Sequence, residues 1–180
     1  HLVQFAIMGN VYARQVLGKA RPRVGLLSIG EEETKGNELT KEAFRALEEE
    51  PGIEFIGNVE GVDVFKGHAD VVVCDGFTGN VALKIGESVA ETIMALVREE
   101  VTADLRSRAG ALLLKPAFRR LQRRLDYSEV GGAPLLGVNG ITIISHGRSS
   151  AKAIRNALRV AGDCVKSRVL DNIRDGIAES

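Results

Sequence analysis

At 180 residues, with 44% hydrophobic and 27% charged side chains, the chain has the composition of an ordinary globular domain rather than that of a disordered, collagen-like or mucin-like segment. Twenty-four Lys and Arg balance twenty-four Asp and Glu, which leaves no whole-chain basic footprint for nucleic acid. Two cysteines, Cys74 and Cys164, with no signal peptide, favour a reduced, cytoplasmic setting over a disulfide framework or a zinc site; apolar runs such as Val71–Cys74 fall far short of the ~18 residues that span a bilayer.

The chain opens at His1 directly into the helical pattern of Leu2–Met8, without an initiator Met, and is expected to be a piece of a longer protein forming one α/β unit over residues 1–180. The first helix runs to about Gly18. Val24–Ile29 then reads as a strand buried on both faces, the kind that sits in a parallel sheet. After the polar loop Gly30–Asn37, a helix carries Leu39, Ala43, Phe44 and Leu47 on one stripe and is stopped by Pro51-Gly52. A short strand at Ile53–Ile56, a helical crossover near Val62–Phe65 and an apolar strand at Ala69–Cys74 complete a strand–helix–strand rhythm. From Asn80 to about Leu105 a long helix is predicted by Val81, Ile85, Val89, Ile93 and Leu96. Leu135–Val138 and Ile141–Ile144 flank Asn139-Gly140 as a tight hairpin, and a last helix from about Ser149 turns Ile154, Leu158, Ala161, Val165 and Val169 inward.

Ligands of open α/β sheets bind beyond the carboxyl ends of the strands, so the loops there are the places for chemistry. The first, Gly30–Asn37, holds three carboxylates, Lys35 and Asn37; a solvated loop with a helix cap and a ligand site both stay open. In the second, Cys74–Asn80, the residues Gly76, Thr78 and Gly79 let main-chain N–H groups approach an anion at a helix start, and Lys84 adds a point charge one turn on from Asn80. The plainer alternative is a tight turn capped by Asn80. Neither a G-x-G-x-x-G nor a G-x-x-x-x-G-K-[ST] pattern occurs, which argues against nicotinamide and ATP. The third loop, Ser145–Ser150, sets His146 and Arg148 before a helix, where an imidazole exchanges protons near neutral pH or serves as a structural donor. No task falls to His1 or His68, Cys74 has no adjacent base, and neither a metal nor a cofactor is expected.

Leu105–Leu125 carries Arg106, Arg108, Lys115, Arg119, Arg120, Arg123 and Arg124 and no acid, with Leu114, Phe118, Leu121 and Leu125 at helical spacing and Ala111–Leu114 as an apolar turn before Pro116. A helical insertion over about residues 105–126 suits an anionic membrane surface, with Leu112, Leu113, Leu114 and Phe118 in the headgroup boundary and Arg119 and Arg120 toward lipid phosphates. A helix pair in a dimer interface remains open. Nucleic acid is disfavoured, because Phe118 is the one interleaved aromatic.

Together, Gln4–Gly9, Ser28–Glu32 with Lys35–Glu38, Gly57–Glu60, Asp70–Lys84 and Gly131–Gly137 with His146-Gly147 resemble the bacterial phosphate acyltransferase family of phospholipid synthesis over nearly the whole chain. The resemblance implies a mostly parallel three-layer α/β/α sandwich, similar to phosphotransacetylases and isocitrate dehydrogenase-like enzymes, forming a homodimer with a cleft between two lobes. Members are about twice as long, so the likeness is to their C-terminal half. It implies transfer of a fatty acyl group from acyl carrier protein to inorganic phosphate, peripheral membrane attachment through an amphipathic tip, and delivery of acyl-phosphate to a membrane glycerol-3-phosphate acyltransferase. On that reading His146, Asn80 and Lys35 are the expected catalytic groups, with phosphate on Gly76, Thr78, Gly79 and Lys84. The alternatives are a short-chain phosphotransacetylase or phosphotransbutyrylase using coenzyme A, and a non-enzymatic membrane-surface scaffold.

Overall fold

The structure, a computed structural model, describes residues 1–125 and 129–178, the side chains of 122–125 excepted. The expected roles of Arg123, Arg124 and Leu125 therefore fall outside the described side chains. In chain order the elements are α1 (Leu2–Gln15), β1 (Arg23–Leu27), α2 (Glu38–Glu48), β2 (Glu54–Val59), a 3₁₀ turn (Asp63–Phe65), β3 (Val71–Val73), α3 (Gly76–Thr102), α4 (Leu105–Leu125), β4 (Ala133–Pro134), β5 (Ile143–Ile144), α5 (Ala151–Lys166) and α6 (Val169–Ala178). A parallel sheet with six α-helices among the described residues makes the class α/β, consistent with a three-layer α/β/α sandwich. The chain divides into two compact units, one of residues 1–76, 134–144 and 158 onward, the other of 77–133 and 145–157.

In the first unit β1 is the central strand of the order β2-β1-β3, parallel to both neighbours. Alternation along β1 sends Val24 and Leu26 to the same face, where both are fully buried against Leu2 and Ala6 of α1, Ala43 and Leu47 of α2, and Val73. Between Val24 and Leu26 the pairing with β2 slips by one residue, and Gly57 at φ +87° supplies the left-handed backbone that such a bulge demands. Asn58 is thereby brought opposite Leu26 at the carboxyl end of the strand. The amino ends of β1 and β3 are tied by Asp70, which accepts from the Arg23 backbone N–H at 3.0 Å, Arg23 Nε at 3.1 Å and Lys19 Nζ at 3.0 Å. A second core joins Met8 of α1 to Cys164 of α5 and to Val169 and Ile173 of α6.

Three expectations are corrected. The long helix begins at Gly76 rather than Asn80 and ends at Thr102, so Gly76–Gly79 form its first turn and Asn80 is not a cap. The tight hairpin shrinks to β4 and β5, because neither Asn139 nor Gly140 adopts the positive φ of a two-residue turn; the chain turns at Gly137, φ +81°, while Leu136 and Ile141 pack on the second core. The last helix breaks at Arg168, φ 51°, into α5 and α6. Its inward stripe is Ala153, Ala157 and Cys164, whereas Ile154, Leu158 and Val165 are exposed.

The second unit contains most of α3, all of α4 and the start of α5. No residue of α3 is buried, so the stripe of Val81, Ile85, Val89, Ile93 and Leu96 stands exposed. Gly131, at φ +90°, lies so close to the α5 main chain at Ala153 and Ala157 that a Cβ would overlap it. No described helix is long and apolar enough to cross a membrane.

Candidate functional site

At the carboxyl end of β1, the loop holding Lys35 is shaped by its own polar groups. Asn37 caps α2 by accepting from the Thr40 N–H at 2.9 Å, satisfying one of the donors a helix start leaves unpaired. Lys35 N–H donates to the Glu32 carbonyl at 2.9 Å, and the same carbonyl accepts from Asn58 Nδ2 at 2.9 Å, so β2 pins the loop. The Lys35 stem folds over Gly30, where an added Cβ would stand 2.9 Å from Lys35 Cγ. Lys35 itself is exposed.

Beyond β3, Cys74 and Asp75 lead straight into α3. Burial, and then the Asp75 carboxylate, push the Cys74 thiol up, which disfavours a thiolate nucleophile. Gly76, Thr78 and Gly79 lie in the first turn of the helix, whose amides have no preceding helical carbonyl to donate to, and the positive end of the helix dipole adds to that field. Asn80 and Lys84 follow in the second and third turns, four residues apart on one face.

Within the second unit the fold brings His146 to α3. His146 Nε2 stands 3.8 Å from Glu87 Oε1, and Lys84 Nζ stands 3.4 Å from Glu87 Oε2, so one carboxylate faces both expected site residues. The loop carrying His146 is held by Ser145 Oγ–H donating to the Gly131 carbonyl at 3.3 Å, by the Ser149 N–H donating to the His146 carbonyl at 3.0 Å, and by Ser150, whose Oγ accepts from the Ala153 N–H at the start of α5. Sequence reasoning found Lys84 and His146 but missed Glu87. Its i, i+3 spacing from Lys84 was visible, whereas its approach to His146 depends on the fold. Lys35 belongs to the first unit and Asn80, Lys84 and His146 to the second. Among the described residues no group of three or more His, Cys, Asp or Glu could hold a metal ion. A hollow in the first unit, lined by Asn10, Arg14, Arg21 and Glu54, lies at the amino ends of β1 and β2, away from the strand ends that carry ligands.

The basic segment is one helix, α4, with Asp104 at its start accepting from the Ser107 N–H at 2.8 Å. Pro116 sits inside it and withholds the donor that the Leu112 carbonyl would otherwise receive. Leu105, Leu112, Leu113 and Leu114 are exposed and Phe118 is half-buried, while Arg106, Arg108, Arg119 and Arg120 are exposed around them.

A helix-clad parallel sheet with polar, glycine-bearing segments at its strand ends defines an α/β protein of the kind that binds ligands at those ends. The chain belongs to the fatty acid synthesis protein family, whose model matches residues 1–172. It is 54% identical over 99% of its length to a phosphate acyltransferase of Desulforudis audaxviator, 55% over 98% to one of Heliobacterium modesticaldum and 49% over its whole length to one of Thermodesulfovibrio yellowstonii. It covers 53%, 52% and 52% of those proteins, so the chain spans about half the length of the curated relatives it matches.

Proposed function

We propose that this chain serves in an acyltransferase that moves a fatty acyl group from acyl carrier protein to inorganic phosphate, yielding acyl-phosphate for phospholipid synthesis. The observation that carries this reading is the 54% identity, over nearly the whole chain, to a relative named phosphate acyltransferase; membership of a fatty acid synthesis family supports it. In the reaction, a phosphate oxygen attacks the thioester carbonyl carbon and the C–S bond breaks. The carrier's thiolate leaves and takes up a proton. Phosphate is itself the nucleophile, so the protein needs to hold it, orient it and stabilise the oxyanion, and no covalent acyl-enzyme is required.

Phosphate sits at the first turn of α3, on Gly76, Thr78 and Gly79, with Lys84 as countercharge. Lys35, in the first unit, is a second candidate cation, and His146 or Asn80 supplies the oxyanion donor or relays the proton. The working protein is a cytoplasmic homodimer attached peripherally to anionic membrane by α4, where its product passes to a membrane glycerol-3-phosphate acyltransferase. The exposed leucines set among arginines on α4 favour this over a purely soluble location.

The test is acyl-phosphate formation by the protein at its relatives' full length, with acyl carrier protein and coenzyme A thioesters compared as donors. Turnover with the carrier-protein thioester is expected, and Asn80→Ala and Lys35→Ala each lower it, by ~10²-fold where the lost group is an oxyanion donor. Preference for a short-chain coenzyme A thioester identifies a phosphotransacetylase instead. No acyl-phosphate from either donor overturns the reading, and unchanged kinetics in both variants removes these residues from the site.

A further inference from the structure

Glu87 is half exposed, as are the two groups it faces, and pairing of such charges contributes little to stability. Its placement nonetheless has a definite geometry. The two carboxylate oxygens point to different partners, Oε2 to Lys84 Nζ at 3.4 Å on the same helix and Oε1 to His146 Nε2 at 3.8 Å on a loop far along the chain. A planar anion thus bridges an ammonium on α3 and an imidazole on the distant loop. Three features of the chain converge on it: Lys84 on the α3 face, His146 on a loop tied to Gly131, and the α5 cap at Ser150 that fixes where this loop ends.

We infer that Glu87 is a positioning residue for the phosphate site, an internal counter-anion that holds Lys84 in the empty site, gives Lys84 up to phosphate when it binds, and keeps its own place beside His146. This rests on the phosphate acyltransferase reading of the same residues. Glu87 touches neither donor nor carbonyl in this role and acts through its two partners. The consequence is a split in kinetic effect that a purely structural residue would not give. With the carboxylate gone, phosphate no longer competes with it for Lys84 and binds more tightly. At the same time His146 loses the carboxylate that orients it on α3, and turnover falls.

The experiment measures steady-state kinetics against inorganic phosphate for the full-length protein and its Glu87→Gln, Glu87→Asp and Lys84→Ala variants. Glu87→Gln is expected to lower the KM for phosphate about fivefold, the factor that one unit charge at this range supplies in a high dielectric, and to lower kcat. Glu87→Asp, which keeps the charge, holds KM within about twofold of the parent. Lys84→Ala raises KM. A KM unchanged or raised in Glu87→Gln, with Lys84→Ala raising it as expected, overturns the role of Glu87 and leaves the phosphate site standing. A KM unmoved by Lys84→Ala refutes the site itself. Thermal unfolding of Glu87→Gln close to the parent's is expected, and a large loss of stability would make Glu87 a structural residue.

Discussion

Asp70→Ala removes a carboxylate on which three donors converge: the Arg23 backbone N–H, the Arg23 side chain and Lys19. The size of the loss follows from how far each group is from water. Asp70 is 11% exposed, whereas Lys19 and Arg23 are 54% and 42% exposed and regain hydration when their partner is gone. The cost therefore lies above the ~0–1 kcal/mol of a surface pair and below the ~3–5 kcal/mol of a broken buried one. Because the Arg23 N–H at the start of β1 also loses its acceptor, about 2 kcal/mol is expected. For a protein of this size that lowers Tm by roughly 4–8 °C. Asp70→Asn keeps one acceptor for the Arg23 N–H and loses about half as much.

The same carboxylate gives the effect a pH signature. The backbone hydrogen bond from Arg23, then those from the Lys19 and Arg23 side chains, hold the Asp70 carboxyl far below the usual carboxylate range. A depressed pKa in the folded state stabilises the protein above the unfolded value of about 3.9 and is lost as pH falls from there toward the folded value. Thermal unfolding followed by far-ultraviolet circular dichroism should give a constant gap between parent and Asp70→Ala from about pH 8 to 5, narrowing below about pH 4. A variant that melts with the parent at pH 7, or a gap as wide at pH 3 as at pH 7, refutes this account of Asp70.

Gly131→Ala should cost at least about 2 kcal/mol, since the residue sits at φ +90° and its Cβ would meet main-chain atoms of α5 that cannot yield; Gly140→Ala, with ordinary φ and open space, should stay within about 0.5 kcal/mol, and equal denaturant midpoints for the two would contradict the packing described. Leu113→Glu combined with Leu114→Glu in the full-length protein should abolish co-sedimentation with anionic vesicles while light scattering still reports the parent's oligomeric state. Added salt should weaken the parent's binding, as each cation near such a surface contributes about 1 kcal/mol. A double variant that falls apart, or that still pellets with vesicles, excludes the membrane role of α4.

What was legible in the sequence was set by local physics. Val24–Ile29 and Ala69–Cys74 read as strands because they are apolar runs, and their middles pair in parallel as β1 and β3, whereas Ile29 falls beyond β1 and is exposed; Asn37 read as a cap because its amide is the right length to reach the Thr40 N–H. Elements decided by tertiary contact were misjudged. The glycines at 76 and 79 suggested a loop, yet in a first turn the amides lack helical partners in any case, and the helix absorbs them. On α5 two stripes competed, and the fold chose Ala153 and Ala157, whose small side chains admit the Gly131 backbone, over the larger Ile154 and Leu158. The candidate site was legible as a set of strand-end loops, but the carboxylate linking Lys84 to His146 was not, because no spacing rule relates α3 to a loop that distant.

The two cysteines divide the first unit's interior between them. Cys164 is buried in the core of α1, α5 and α6, and Cys74 lies half-buried at the end of β3, beside the core built on the sheet. Burial foremost, with the adjacent Asp163 and Asp75, raises both thiol pKa values, so each thiol resists alkylation while its surroundings stay folded. Timed exposure to iodoacetamide, read by peptide mass, thus turns each cysteine into a clock for the opening of its own region, with no label engineered into the chain.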